Sequence, residues 1–574
     1  MKKFLILLLG SCLIISGCAA NNKTPEEKAS VENAENKAEA IEVKDLSNAT
    51  EEEAWQYAEQ IIADVKSNEP KFGDYKVSIE EFGAKKSETE LEYANQRALA
   101  IENTKAIYKA ICDVNKQENG GTVIVPAGVW YTAAIHLLSN VNLHLEEGAV
   151  LKFATDTDLY AGDLMKELYG DELTFTRSAG IEMYNYSPFV YAYKADNIAL
   201  TGKGTIDGQA GADRWTTWRT LGEPTANNNL LKQAATGVDV KERRYGESEG
   251  EPGVATDGYI RPNFVEFIDC DKVLIEDITT KNSPCWQLHP VYCNYVTIRR
   301  VNINSLNANN DGCNPDSCKY VLIEENTFNT GDDCIAIKSG KNEDGRRINI
   351  ASENIVIQNN VMQEGHGGIT LGSEASAGIR NVFARNNVME SLAEECALRF
   401  KNSPLRGNLL ENIYYKDTKV TAFKSTRDMI VFESDYGYED EITYLEAEKV
   451  EIEKKPQIIR NVHINGFYAV PDENVNNICE TVITMTGTKE NPITDIYLSN
   501  FNVEKANQFM ELKYVDGLTL QTATITRNRK KDTFENCKNI SFTNVSYLKS
   551  RLSTEEDFSS IENFSGENVN FSKQ

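Results

Sequence analysis

Asp311 lies in "NNDGCNPDS", Asp332 and Asp333 are adjacent in "GDDC", His366 sits in "EGHGG", and Arg399 and Lys401 are one residue apart in "LRFKN". Three carboxyl groups, an imidazole and two permanent cations could together split a glycosidic bond in an acidic sugar. A carboxylic acid protonates the leaving oxygen while a carboxylate activates water. Crowded carboxyls divide those roles, because a like charge within about 4–6 Å keeps one of them protonated. An arginine and a lysine nearby would hold a carboxylate on the substrate, the arginine in two-pronged fashion. Singly, these motifs are ordinary: Asn-Asp-Gly is a common turn, and adjacent aspartates often cap or bind calcium. The chemistry depends on what brings them together.

A repeat does so. Segments such as "DNIALTGKGTIDG" from 196, "DKVLIEDITTKNS" from 271, "NYVTIRRVNINSL" from 294 and "KYVLIEENTFNTG" from 319 share a polar opening, apolar residues at period two, a polar break and a second apolar pair. Further copies begin at 353, 380, 411, 460, 494 and 538. Many recur every 22 to 34 residues or so. That is too short for a strand–helix–strand unit and long enough for one coil of a parallel β-solenoid. A β-sandwich would need Asn-Gly or Asp-Gly hairpin turns between most strands, and these are scarce.

Stacked coils lie roughly 4.8 Å apart, so equivalent positions become neighbours. The six residues fall about 13 to 21 positions after the start of four successive repeats, which predicts one strip on one side of the solenoid. Parity supports this for Arg399 and Lys401, which share one strand face while Leu398 and Phe400 take the other. Asp332 and Asp333 break parity, and Gly331 before them offers the freedom for a turn or bulge that aims both outward.

Open solenoid ends need caps. Residues 96–117 place Leu99, Ile101, Ile107, Ile111 and Val114 at largely helical spacing before "GGTVIVPAG", which predicts an N-terminal capping helix and a first strand. The first 18 residues read as an export signal whose "LIISGC" resembles a bacterial lipobox. On that reading Cys18 is lipidated and the protein is anchored on a membrane outer face; a plain secretory signal is the alternative. Residues 19–50 form an acidic tether too poor in aromatics to fold alone, and 51–75 a short helical lead-in. The solenoid domain is expected over 76–574, interrupted by an insertion at 208–260.

The net charge of −27 argues against nucleic acid as a partner. Ten cysteines outside the leader lack paired metal-ligand spacing and are expected mostly as buried thiols, with one or two disulfides open.

The sequence resembles glycoside hydrolase family 28, the polygalacturonase-type, pectin-degrading enzymes. The resemblance is carried by "NNDG" at 309–312, "GDDC" at 331–334, "GHGGITLGS" at 365–373, "RFK" at 399–401, the segment from "FGAKK" to "GGTVIVPAG", and "NSPCWQLHPVYC" at 282–293. It implies an all-β, right-handed single-stranded parallel β-helix that hydrolyses α-1,4-galacturonosyl linkages with inversion. Asp332 would be the general acid, Asp311 and Asp333 would activate water, His366 would tune the acid, and Arg399 and Lys401 would bind substrate carboxylate. Asp316 competes with Asp311 for the third carboxylate. A substrate-binding tyrosine is expected among Tyr414, Tyr415, Tyr436 and Tyr438. The family's Arg-Ile-Lys is Arg-Phe-Lys here, which changes only the inward residue.

The implied partner is an anionic pectic polysaccharide, bound by a monomer without cofactor or metal. Trp215 and Trp218 in the insertion would wall one end of the cleft and stack on sugar rings, favouring removal of units from a chain end; an ordinary structural insertion is the alternative. Three other readings remain: a rhamnogalacturonan or other uronate hydrolase, a calcium-dependent lyase, and a non-catalytic carbohydrate binder. The acid trio disfavours the last two.

Overall fold

The repeat segments become stacked parallel strands, and their first residues are register partners. Asp196, Asp271, Asn294, Lys319, Glu353, Arg380, Glu411, Arg460 and Thr494 lie one on the next. An eleventh coil, which the sequence comparison does not pick out, enters at Asp516 before Lys538. The computed structural model describes residues 44–211, 214–246, 259–390, 396–407, 409–422, 428–471, 478–527, 530–550 and 558–573. Cys18, the leader and most of the proposed tether lie outside the described residues.

Two positions into each strand, a column of Ile, Val and Leu runs from Ile198 through Val321 and Ile413 to Ile540, each at most 1% exposed. Burying one such side chain contributes about 1.5–3 kcal/mol, and the column repeats that gain at every coil. The polar opening has its own cause. Asn354, Asn381, Asn412 and Asn461, second in their segments, have φ between 52° and 59°. Asparagine tolerates this left-handed conformation better than other side chains. Their amides also chain together: Asn381 Nδ2 donates to Asn354 Oδ1 (3.2 Å), Asn412 to Asn381 (3.0 Å) and Asn461 to Asn412 (2.8 Å). In the eleventh coil Gly517 (φ 91°) takes the asparagine's place.

The expected cap is the helix Arg97–Asn115, which buries Ala100, Ala106, Ile107, Ala110, Ile111 and Val114, while Leu99 and Ile101 are only half-buried. The lead-in is helical over Glu51–Ser67, started by a capping box between Thr50 and Glu53. This helix lies on the outside of the solenoid, with Trp55 edge-on to Phe383 at 5.7 Å. No helix among the described residues is long and apolar enough to cross a membrane. All ten described cysteines are free thiols, nine of them buried, so the possible disulfides do not form.

The strands Thr174–Ser178 and Ile181–Asn185 form a hairpin, the one antiparallel strand pair among the described residues. It crosses the outer face of the strands Val190–Tyr193, Val265–Ile268 and Leu288–Val291. Tyr191 donates to the carbonyl of Phe175 (2.6 Å), Thr176 donates to Glu266, and Arg177 Nη1 lies 3.1 Å from Asp316 Oδ1. The hairpin tip reaches the next elements along the solenoid: a Cβ on Gly180 would meet the Lys341 nitrogen at 2.8 Å and Glu374 Cβ at 2.9 Å.

The insertion contains the helices Arg214–Trp218 and Glu223–Ala235. Its tryptophans do not face a cleft. Trp215 and Trp218 are buried against Tyr160, Phe189, Tyr186 and Tyr259, which corrects the expectation that they stack on sugar. Large aromatic rings in a long excursion gain more by joining the hydrophobic core of the solenoid than by standing in water.

Candidate active site

The acids and the imidazole occupy one corner of three successive coils. Asp311 follows the strand Asn302–Ser305, and Asp332 and Asp333 sit in the bend between Thr327–Thr330 and Ile335–Ile337. His366 holds the same bend one coil on, between Val361–Glu364 and Gly367–Leu371. Backbone bonds fix the stacking: Gly312 N donates to Asp333 O (2.9 Å) and His366 N to Asp332 O (3.1 Å). On the next coil Arg399 and Lys401 point outward from Cys396–Lys401 while Leu398 and Phe400 enter the core, with Phe400 stacked on Phe432 at 4.0 Å.

A corner, not a bulge, resolves the broken parity of the paired aspartates. Gly331 does not adopt a left-handed φ. It is needed for close approach, because a Cβ there would lie 2.2 Å from the carbonyl oxygen of Asn307. Gly367 is similar, since its Cβ would meet Asp333 Oδ1 at 2.6 Å.

Carboxylate oxygens of Asp311, Asp332 and Asp333 lie within 4.8 Å of one another. Lys401 Nζ stands 2.7 Å from Asp333 Oδ2, Lys338 Nζ 3.7 Å from Asp311 Oδ2, and His366 Nδ1 3.6 Å from Asp332 Oδ1. Asp332 is the most open of the three, its side chain 23% exposed against 4% and 2% for Asp311 and Asp333. The two flanking ammonium groups already supply the positive charge that such a trio attracts.

This geometry separates the carboxyls electrostatically. Burial, and then the charge of Asp332, push Asp311 up to about 7 against the pull of Lys338. For Asp332 burial works upward too, but the His366 imidazole and the Lys401 charge outweigh it and hold the carboxyl below its usual range. Of these two carboxyls Asp311 therefore holds a proton the more strongly, a point that sequence reasoning cannot reach.

Asp316 is excluded from the trio. It is fully buried, with Arg177 at 3.1 Å and His289 Nε2 at 3.6 Å, and it accepts from the Gly340 amide (3.0 Å). Its work is to hold the hairpin on the solenoid. Among the four tyrosines only Tyr436 meets the cations, with the Arg399 guanidinium and the Lys401 ammonium each 5.1 Å from its ring centre. Tyr414 and Tyr415 are buried, and Tyr438 starts the helix Tyr438–Ala447 with Lys454 over its ring.

Neither strand cation stands unpaired. Lys401 is held by Asp333, and Arg399 Nε donates to Glu433 Oε2 at 2.9 Å. A substrate carboxylate would share Arg399 with Glu433. Sequence reasoning missed Glu433, Lys338, Glu374 and Trp286. The signal for Lys338 was available in "GDDCIAIKSG", where alternation against the apolar Ile335 and Ile337 puts a lysine on the outward face shortly after the acids.

Fold and site together define a pectin-lyase-like parallel β-helix that carries a carboxylate cluster between two lysines on one outer face. The family model described as "Glycosyl hydrolases family 28" matches residues 171–516, more than half of the chain, and the protein belongs to that family. An exopolygalacturonase from Thermotoga maritima is 30% identical with a TM-score of 0.67, covering 85% of this chain and 96% of that one. A "Probable polygalacturonase" of Vitis vinifera is 29% identical over 328 residues, 56% of this chain and 58% of its own length. An "Exo-poly-alpha-D-galacturonosidase" of Dickeya chrysanthemi is 27% identical over 362 residues, 60% of this chain and 54% of its own length. The chain thus spans little more than half the length of these curated relatives.

Proposed function

We propose that this protein hydrolyses the α-1,4-galacturonosyl linkages of polygalacturonate, with inversion and from a chain end. The observation that carries the reading is the acid trio, oxygens within 4.8 Å, set between Lys338 and Lys401 on a family 28 solenoid. In this reading Asp332, the exposed carboxyl beside His366, gives its proton to the leaving oxygen. Asp311 and Asp333 take a proton from the attacking water, so the trio ends the cycle with the number of protons it started with. Because Asp311 holds a proton more strongly than Asp332 in the free site, a proton must pass to Asp332 when sugar displaces water from around that carboxyl and raises its proton affinity. Inversion is supported by the family resemblance alone. The trio is tighter than the roughly 6.5–9.5 Å between carboxyls that usually leaves room for water in inverting enzymes.

Chain-end action is supported by the roof over the sheet that bears the site. On the coils before Asp311 the outward side chains Glu266 and His289, and on its own coil Asp316, are buried beneath the hairpin Thr174–Asn185. On the coils after Lys401 the floor opens, with Glu433 and Thr484 half-buried and Glu511 exposed. A polymer lying along this face would enter from the later coils and stop at Asp311. The lipobox-like leader supports attachment to an outer membrane face at Cys18, which would keep released sugar close to the cell.

Incubation of the purified protein with polygalacturonate, following reducing ends, product size and ultraviolet absorbance together, tests the reading. Saturated monomer from the first time point, with the β-anomer first by NMR, is expected. Mixed oligomers would end the chain-end proposal, an unsaturated product would make the protein a lyase, and no release would move the substrate to another uronate glycan.

Lys401→Ala is expected to lower kcat/KM by about 10–100-fold, the worth of one charge-assisted contact of 1.5–3 kcal/mol. Initial rates across a series of oligogalacturonates check this, and unchanged kcat/KM would remove Lys401 from substrate binding.

A further inference from the structure

Lys338 is a buried lysine that the reaction as described leaves without a role. Its Nζ lies 2.9 Å from Glu374 Oε2, 3.7 Å from Asp311 Oδ2 and 4.6 Å from the centre of the Trp286 ring. Both ends of this pair are almost out of water, with the lysine side chain 5% and the glutamate 8% exposed. Strand register gives the lysine a meaning. Ile337 pairs with Leu371 and Leu371 with Phe400, so the residues that follow, Lys338, Gly372 and Lys401, occupy one outward row of the solenoid. The two lysines flank the acids from opposite sides, Lys338 at Asp311 and Lys401 at Asp333.

A buried cation at 3.7 Å favours the ionised form of a carboxyl, and a second carboxylate that draws the cation away weakens that effect. Glu374 stands 0.8 Å nearer to the ammonium than Asp311 does, from the 2.9 and 3.7 Å distances. We propose that Lys338, shared unequally between Glu374 and Asp311, is a positioning residue that sets the proton affinity of Asp311. The inference rests on the reading above only in taking Asp311 as a group that must ionise to activate water.

The other groups that bear on Asp311 are Asp332 and Asp333, which favour its protonated form, and Asn314, whose Nδ2 donates to it at 2.9 Å. The buried thiols of Cys285 and Cys334 sense the charge of Asp311 but carry none of their own near neutral pH, since burial pushes both up to about 12. Lys338 itself is faced by Asp311, Asp333 and Glu374, and by Lys401 across the trio. Glu374 is further held by the charges of Lys341 and Arg406, which keep it ionised. Lys338 is thus the cation placed directly on Asp311, and Glu374 is the group that competes for it.

The arrangement gives effects of opposite sign. Lys338→Met removes the cation, so Asp311 should hold its proton to a pH about one unit or more higher. Glu374→Gln removes the competing anion and leaves the lysine to Asp311, so the proton should come off at a lower pH. Lys338→Arg keeps the charge and should leave the titration near that of the parent.

The experiment is an infrared titration of the protonated-carboxyl band in the full chain between pH 4 and 9, with Asp311→Asn identifying the Asp311 contribution. Opposite shifts in Lys338→Met and Glu374→Gln, with Lys338→Arg unmoved, are the expected result. If Glu374→Gln leaves the Asp311 band where it was, or moves it in the same direction as Lys338→Met, the inference is overturned. Should Lys338→Met fail to fold, Glu374→Gln and Lys338→Arg still decide it. The acid limb of the kcat profile, recorded on the same variants, tests the functional reading separately. A band that shifts without the limb would withdraw Asp311 from water activation while leaving Lys338 as the group that sets its proton.

Discussion

Asp332→Asn is expected to lower turnover on polygalacturonate by about 10² or more while leaving substrate binding and thermal stability close to those of the parent. The amide keeps the shape of the carboxyl and can still accept from the Asp333 amide at 2.9 Å, so the corner should stay intact. What it loses is the proton that must reach the leaving oxygen. The position is suited to that task because Asp332 alone among the three is substantially open, and His366 is within 3.6 Å of it. Removing the Asp332 charge should also relieve Asp311, whose affinity for its proton owes part of its rise to that neighbour. Single-turnover rates with a matched binding measurement read the two effects separately. Retained turnover would remove Asp332 from the site.

Asp316→Ala should give the converse pattern. Its carboxylate is wholly buried against the Arg177 guanidinium and the His289 ring, and Arg177 is itself only 1% exposed. Removing one partner of a buried ion pair leaves an uncompensated charge and costs about 3–5 kcal/mol. The hairpin Thr174–Asn185 should loosen first, because Arg177 is its anchor to the coil of Asp316. Denaturant unfolding should show a strongly lowered midpoint, and the folded fraction should keep most of its turnover. Unimpaired stability with turnover abolished would hand the third-carboxylate role to Asp316 and displace Asp311.

The contrast between these two aspartates, five positions apart, shows what the sequence could and could not say. Both sit in "NNDGCNPDS", and a motif alone cannot tell which of them faces Asp332. The partner that claims Asp316 is Arg177, which lies 139 positions earlier in a hairpin with no repeat signature. Coil register was legible because period-two alternation and a polar opening recur in almost every copy. The eleventh coil was missed where Gly517 replaces the usual asparagine. Trp215 and Trp218 were misjudged because composition marks an aromatic excursion without revealing whether it folds inward. The raised proton affinity of Asp311 depends on burial and on the charge of Asp332, opposed by Lys338, and none of these is written in the motif.

The asparagine chain along the corner of the solenoid bears on how the site can move. Each amide bridges two neighbouring coils from Glu353 to Arg460, and the backbone bonds beside it do the same there and on the coils of the acids, so these coils cannot slide without breaking a row of bonds at once. The site residues sit on four separate coils and therefore behave like marks on a ruler. Their spacing belongs to the backbone and is indifferent to the length of the excursions between them. A site built this way has no domain to close over it among the described residues. Whatever adapts to a bound chain must be the excursions that wall the cleft and the long arms of Lys401, Arg399 and Lys338, which leaves evolution free to rebuild the walls without resetting the acids.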